Sequence, residues 1–178
     1  MAAARISTAL LLKRHRPLWR VVCRNPFLAG IREGSLPDES YRFWLVECDH
    51  FAHRMVPALS RLLAAAPARD RVLLLQGIDS LLEHQARVER AIQALGVDAA
   101  TPPSVVTHAF IDYVVALGLD CYPMGLVGHW TQYQAYLDGW SWARPAARKY
   151  RGVVQAFTSR EYRAFVRGMA RAADAALA

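Results

Sequence analysis

Apolar positions recur with the period of a helix along nearly the whole chain. From Glu39 to about Ala65 they fall at Tyr41, Trp44, Leu45, Cys48, Phe51, Ala52, Met55, Leu59 and Leu62. Steps of three and four make one stripe of a long helix. Pro57 lies inside it and is expected to kink it, because proline removes a backbone donor; Pro67 closes it. The pattern predicts a second long helix from about Arg69 to Leu95, closed by Gly96. A third follows from Pro102-Pro103 to about Leu119, and a fourth from Pro123 to about Ala143, stopped by Pro145. Shorter helices are expected over Pro17–Arg24 and Ala147–Phe157. Asn25-Pro26 reads as an N-cap with proline in the first helical position, and that helix stops at Gly34. Thr158-Ser159-Arg160-Glu161 reads as a capping box opening the last helix. No stretch alternates with period two, and no segment repeats. The prediction is all-α: one domain over residues 1–178, a bundle of seven or eight helices with the long ones antiparallel through short loops.

Composition narrows this further. The chain has 178 residues, 54% of them hydrophobic, enough for one packed core and too apolar for a disordered chain. No apolar run reaches the roughly 20 residues that span a bilayer; the longest, Tyr113 to Gly128, is cut by Asp120 and Pro123. Cys23, Cys48 and Cys121 are scattered, with no CxxC pair, so neither a disulfide framework nor a zinc finger is expected. Reduced thiols fit a cytoplasmic protein. The net charge of +7 has one address. Residues 1–32 hold seven of the 22 basic residues and no acid, which leaves 15 against 15 over the rest. The body is electrically neutral and nucleic acid is not an expected partner; residues 1–16 read as a basic arm. The Ala- and Arg-rich, acid-free start also fits an organellar presequence.

Two segments carry candidate chemistry. In Trp44-Leu45-Val46-Glu47-Cys48-Asp49-His50-Phe51, Cys48 lies in the stripe and points inward, Asp49 is one step round toward solvent, and Glu47 and His50 flank the stripe. Read plainly, Cys48 is a small buried hydrophobe and the polar neighbours are a solvated face. Glu47 and His50 also make a Glu-x-x-His pair, to which Glu83 on the next helix would add a ligand, as in di-iron bundles. No second Glu-x-x-His exists in the sequence, so no metal is expected. On the fourth helix Tyr133, Tyr136 and Trp140 share one face, and Phe110 and Tyr113 are spaced similarly on the third. Aromatics with polar tips suit a pocket for a flat ring, and equally suit a packed core. No Ser/His/Asp triad, phosphate loop or dinucleotide fingerprint is present.

The order of several weak motifs resembles one family. Asn25-Pro26-Phe27-Leu28 with Gly34-Ser35-Leu36-Pro37, then Phe43 to Cys48, Glu83-His84 with Leu95-Gly96-Val97, Pro103 to Tyr113, Tyr136 to Ser141, and Phe157 to Tyr162 are similar to the successive motifs of the TenA/THI-4/PQQC group. The similarity runs from about residue 17 to the end. It implies a haem-oxygenase-like bundle without haem or other cofactor, a homo-oligomer, and a small aromatic ligand of the aminopyrimidine kind. The implied activity is thiaminase II-like hydrolysis in thiamine salvage. It also implies a site in which Cys48 and Tyr136 take catalytic positions and Glu47, Phe51, Glu83, Phe110, Tyr113, Tyr133 and Trp140 bind substrate. The chain departs from the pattern at several of these. Cys48 stands where the family has a carboxylate, and Gln132 or Tyr133 where it has a Cys or Glu. Phe110 replaces a tyrosine, and the chain ends at Ala178, where the family's closing helix is expected to begin. These departures imply a degenerate active site. They leave room for a non-catalytic ligand- or partner-binding protein, or for an oxidase like the family's other branches.

Overall fold

The computed structural model describes residues 6–144 and 148–178, with the side chains of Asp120 and Arg148 excepted. Among the described residues there are nine α-helices and one 3₁₀ turn: α1 Thr8–Arg14, α2 Arg16–Cys23, α3 Pro26–Glu33, α4 Asp38–Ala65, α5 Ala68–Leu95, α6 Val105–Asp120, α7 Tyr122–Trp142, the 3₁₀ turn Arg148–Tyr150, α8 Arg151–Thr158 and α9 Arg160–Ala176. No strand occurs among them. The all-α class follows. The expected stop at Pro145 and start at Ala147 lie outside the described residues.

The helix ends follow local chemistry. Asn25 Oδ1 accepts from the Leu28 N–H at 3.0 Å, with Pro26 in the first turn. Gly34 and Gly96 close α3 and α5 in the left-handed conformation, φ 74° and 59°, which glycine adopts without steric cost. Three boundaries differ from the expected ones. α6 begins at Val105, not at the prolines, because the Ser104 hydroxyl caps it by accepting from the Thr107 N–H at 3.2 Å. The cap of α9 is Ser159, which accepts from the Tyr162 N–H at 3.0 Å. Thr158 belongs to α8, where its hydroxyl donates to the Val154 carbonyl at 2.8 Å. Finally, residues 8–14 of the expected basic arm form α1, capped by Ser7. α4 runs through Pro57 as one helix.

The chain packs as two compact units, residues 37–125 and residues 1–36 with 126–178. In the first, the two-residue link Ala66-Pro67 folds α4 back on α5, and the two pack along their length. Leu45 and Cys48 meet Val88 and Ile92 there, with Tyr41, Trp44, Ala91 and Val97 around them. α6 packs on another side of α4. Gly125, in the first turn of α7, sits against α6 so closely that a Cβ would come within 2.8 Å of the Gly118 Cα and of Leu62 Cδ1.

In the second unit the body of α7 is buried almost all round; from Leu126 to Trp142 only Thr131 is exposed. Such a helix is central to its unit. Polar contacts tie its neighbours to it. The Trp19 indole N–H donates to Asp138 at 2.9 Å, Arg32 to the Trp142 carbonyl at 2.7 Å, and Arg163 to the Ser141 hydroxyl at 3.1 Å. α1 is clasped to α9: the Thr8 N–H and hydroxyl both donate to the Asp174 carboxylate, at 2.6 and 3.2 Å.

Candidate functional site

Unit 37–125 holds six of the residues singled out from the sequence. α4 is covered on two sides, and the run Leu45–Cys48 is buried throughout. Cys48, 3% exposed, packs in the small apolar cluster with Leu45, Val88 and Ile92. Glu47 is buried too, which corrects its placement on a solvated face. Its carboxylate accepts from the Ser104 N–H at 2.9 Å and from the Ser104 hydroxyl at 2.6 Å. Desolvation pushes this carboxyl up. Hydrogen bonds from the Ser104 and Thr107 side chains and the Ser104 backbone, with His50 nearby, outweigh it and hold the group below its ordinary value. Glu47 thereby fastens α4 to the start of α6.

The other members of this set spread out. Phe51 and Phe110 stack, with centroids 6.1 Å apart and planes 17° apart. Phe110 is 44% exposed and Tyr113 62%. Glu83 faces solvent in an i,i+4 pair with Arg87 at 3.5 Å. His50 is hydrogen-bonded to the Thr101 carbonyl at 2.8 Å. Glu47, His50 and Glu83, the metal set considered from the sequence, thus each have another partner. The His and carboxylate donors at ligand spacing among the described residues are instead Asp49, His53 and Glu89. Asp49, expected in solvent, is mostly covered, and its Oδ1 is buried without a hydrogen-bond partner.

Unit 1–36 with 126–178 holds Tyr133, Tyr136 and Trp140, and it brings them together. Their common face on α7 meets an aromatic wall from α8 and α9. Tyr133 lies edge-on to Phe165 at 4.9 Å and to Tyr162 at 6.5 Å. Tyr136 meets Phe157 at 4.9 Å, and Trp140 stacks on Phe157 at 5.9 Å and 15°. Tyr133 and Trp140 are buried in these contacts and Tyr136 is half-buried. The Tyr133 hydroxyl, the Gln132 carbonyl oxygen and the Trp130 indole N–H are all buried without a hydrogen-bond partner. The Tyr162 hydroxyl donates to the Tyr133 backbone carbonyl at 3.4 Å, not to its side chain.

His129, one turn before Tyr133, completes the group. It is 1% exposed, and burial pushes its pKa down to about 4, so the imidazole is neutral. Its Nδ1 accepts from the Gln132 amide at 2.9 Å. That bond turns the Gln132 oxygen away from the histidine and leaves it as an open acceptor. Burial also raises the Tyr133 hydroxyl well above its ordinary value, so it stays a neutral phenol. Within this one turn of α7 the Tyr133 hydroxyl stands among the packed rings, while the Gln132 acceptor and the Trp130 donor flank it on either side of the helix. The sequence had pointed to the rings. His129 carried no motif, and only its spacing to Gln132 marked it.

Comparison with known proteins accounts for the sequence motifs. A TenA homologue from Pyrococcus furiosus superposes with a TM-score of 0.90 at 20% identity, over 94% of this chain and 84% of that one. A TenA family transcription regulator from a Silicibacter species gives 0.88 at 16% identity, over 94% and 79%. A candidate TenA-like thiaminase from Sulfolobus solfataricus gives 0.78 at 17% identity, over 96% and 84%. At these identities the likeness establishes the fold, the haem-oxygenase-like helical bundle of TenA structures. No curated protein matches the chain. The family model described as TENA/THI-4/PQQC matches residues 12–178, nearly the whole length, and the chain belongs to that family.

Proposed function

We propose that this chain binds a flat, nitrogen-bearing aromatic ligand of the aminopyrimidine class, as a member of thiamine salvage whose hydrolytic chemistry has been reduced. One observation carries the reading: the three unpartnered, buried polar atoms of Trp130, Gln132 and Tyr133 within one turn of α7, of which Tyr133 meets the aromatic wall. An unsatisfied buried polar group costs roughly 1–3 kcal/mol. Three within a single turn of α7 are explained by a ligand that supplies the missing partners. Gln132 would accept from a ring amino group, Trp130 would donate to a ring nitrogen, and Tyr133 suits either. Tyr136 meets the same wall edge-on and Trp140 stacks on it. Cys48 is not needed by this reading, and Glu47 already holds Ser104. The weak nucleophilicity of a neutral phenol and an amide supports binding over turnover.

The test is calorimetric titration with an aminomethyl-pyrimidine. Saturable binding that weakens at least about tenfold in Tyr133→Phe and Gln132→Leu is expected, a loss of ~1.4 kcal/mol or more. Ammonia release from the same compound should be far slower than ligand exchange. Absence of binding at millimolar ligand would overturn the proposal.

A further inference from the structure

Unit 37–125 contains a second group of polar side chains, and it uses no residue of α7. Asp49 and His53 stand one turn apart on α4, and Glu89 stands on α5, which packs against it. Asp49 Oδ1, His53 Nε2 and Glu89 Oε1 lie within 4.8 Å of one another. His53 Nε2 is 3.7 Å from Asp49 Oδ1 and 3.9 Å from Glu89 Oε1. Those separations exceed a hydrogen bond. They are close to the roughly 3.3–3.6 Å between donors that a tetrahedral ion holds at about 2.0–2.2 Å. We propose that Asp49, His53 and Glu89 form a binding site for a divalent transition-metal ion, with zinc as the fitting type.

Four observations support it. Asp49 Oδ1 is buried without a hydrogen-bond partner, and the side chain is only 13% exposed. A covered carboxylate oxygen is costly unless a cation meets it. The donors are one imidazole and two carboxylates, a set that suits zinc and, with the imidazole neutral, balances a charge of two. His53 and Glu89 are 54% and 45% exposed, which gives an ion access and leaves water the fourth position. Gln85, one turn before Glu89, donates to Glu89 Oε1 at 2.9 Å and sits 3.3 and 3.4 Å from the two ring nitrogens of His53, where an ion would take its place at Nε2. It holds the carboxylate beside the ring, the kind of support that outer-shell amides give metal ligands.

The same unit supplies an internal control. His108 and Asp112 on α6 are also one turn apart, 3.1 Å between donors, but Asp112 is shared with Arg54 at 3.1 Å and no third ligand joins them among the described residues. A His-carboxylate pair of this kind should hold zinc weakly.

The experiment titrates the chelator-treated full-length chain with zinc chloride by calorimetry, and with cobalt chloride by visible absorption. One zinc per chain and a tetrahedral cobalt spectrum are expected. His53→Ala and Glu89→Gln should each weaken zinc at least about tenfold, and His108→Ala should leave it unchanged. His53 and Glu89 are both part-exposed, so circular dichroism should show these variants folded. No zinc binding by the unsubstituted chain would overturn the proposal. So would full affinity in His53→Ala, or an equal loss in His108→Ala. None of these outcomes bears on pyrimidine binding, which is read separately.

Discussion

His129 shows how much one covered side chain can govern. Its pKa is pushed from 6.5 down to about 4 by burial. Between those values the unfolded chain binds a proton that the folded chain refuses, so folding stability rises with pH across that window. It is lost as pH falls from about 6.5 toward 4. A displacement of that size corresponds to about 3 kcal/mol at 1.36 kcal/mol per pH unit. His84, also lowered to about 4 by burial and by Arg87, acts with the same sign. Urea unfolding followed from pH 7 to pH 4 should show this loss, and His129→Leu should flatten roughly half of the slope. An unchanged slope in that variant would show that His129 is not the group responsible. Single residues were also where the sequence was hardest to read. Cys48 was placed inward from the stripe of α4, and it is buried there. Asp49 was placed outward and is covered. A stripe presumes one packing partner, whereas α4 has two in its unit, α5 and α6, so positions on both flanks are lost to solvent.

The helices were legible wherever their ends are fixed by local chemistry. Asn25, Gly34 and Gly96 were sufficient because a cap needs only its own turn. α1 was missed for the converse reason. Seven residues are marginal as an isolated helix, and what holds Thr8–Arg14 is the distant Asp174. α6 was placed two residues early because the prolines suggested a start that Ser104, bonded to Glu47, supplies instead. The approach of α7 to α6 is equally invisible in the sequence. Gly125 permits it, and the atom that an added methyl would strike is the Gly118 backbone, which cannot rotate aside. Gly125→Ala should therefore lower stability by about 1–3 kcal/mol, read as a shift of the denaturant midpoint at unchanged slope. A neutral effect would mean that the turn between Asp120 and Tyr122 yields easily.

At the scale of the whole chain, no described helix is long and apolar enough to cross a membrane, yet α6 carries an apolar face on the outside. Val106, Phe110 and Tyr113 are 79%, 44% and 62% exposed and share one side of the helix, while Val114 and Ile111, successively farther round it, are buried. Single exposed apolar residues are ordinary, but a row of them along a helix marks an association surface. The polar groups beside it are engaged within the unit: Asp112 pairs with Arg54 and lies 3.1 Å from His108. The homo-oligomer expected from the family would seat a second copy on this face. Light scattering should report a multiple of the chain mass, reduced to a single chain by Val106→Glu with Tyr113→Glu. A single-chain mass for the unsubstituted protein would remove this reading. The family itself was legible in the order of its motifs. The candidate ligand group on α7 was not, because its signal is a set of missing hydrogen bonds, which only coordinates display.

The clasp between Thr8 and Asp174 has a practical consequence for engineering. It ties all of α1 to a single carboxylate on α9, so one exchange, Asp174→Ala, should release that helix while the remainder of its unit stays folded.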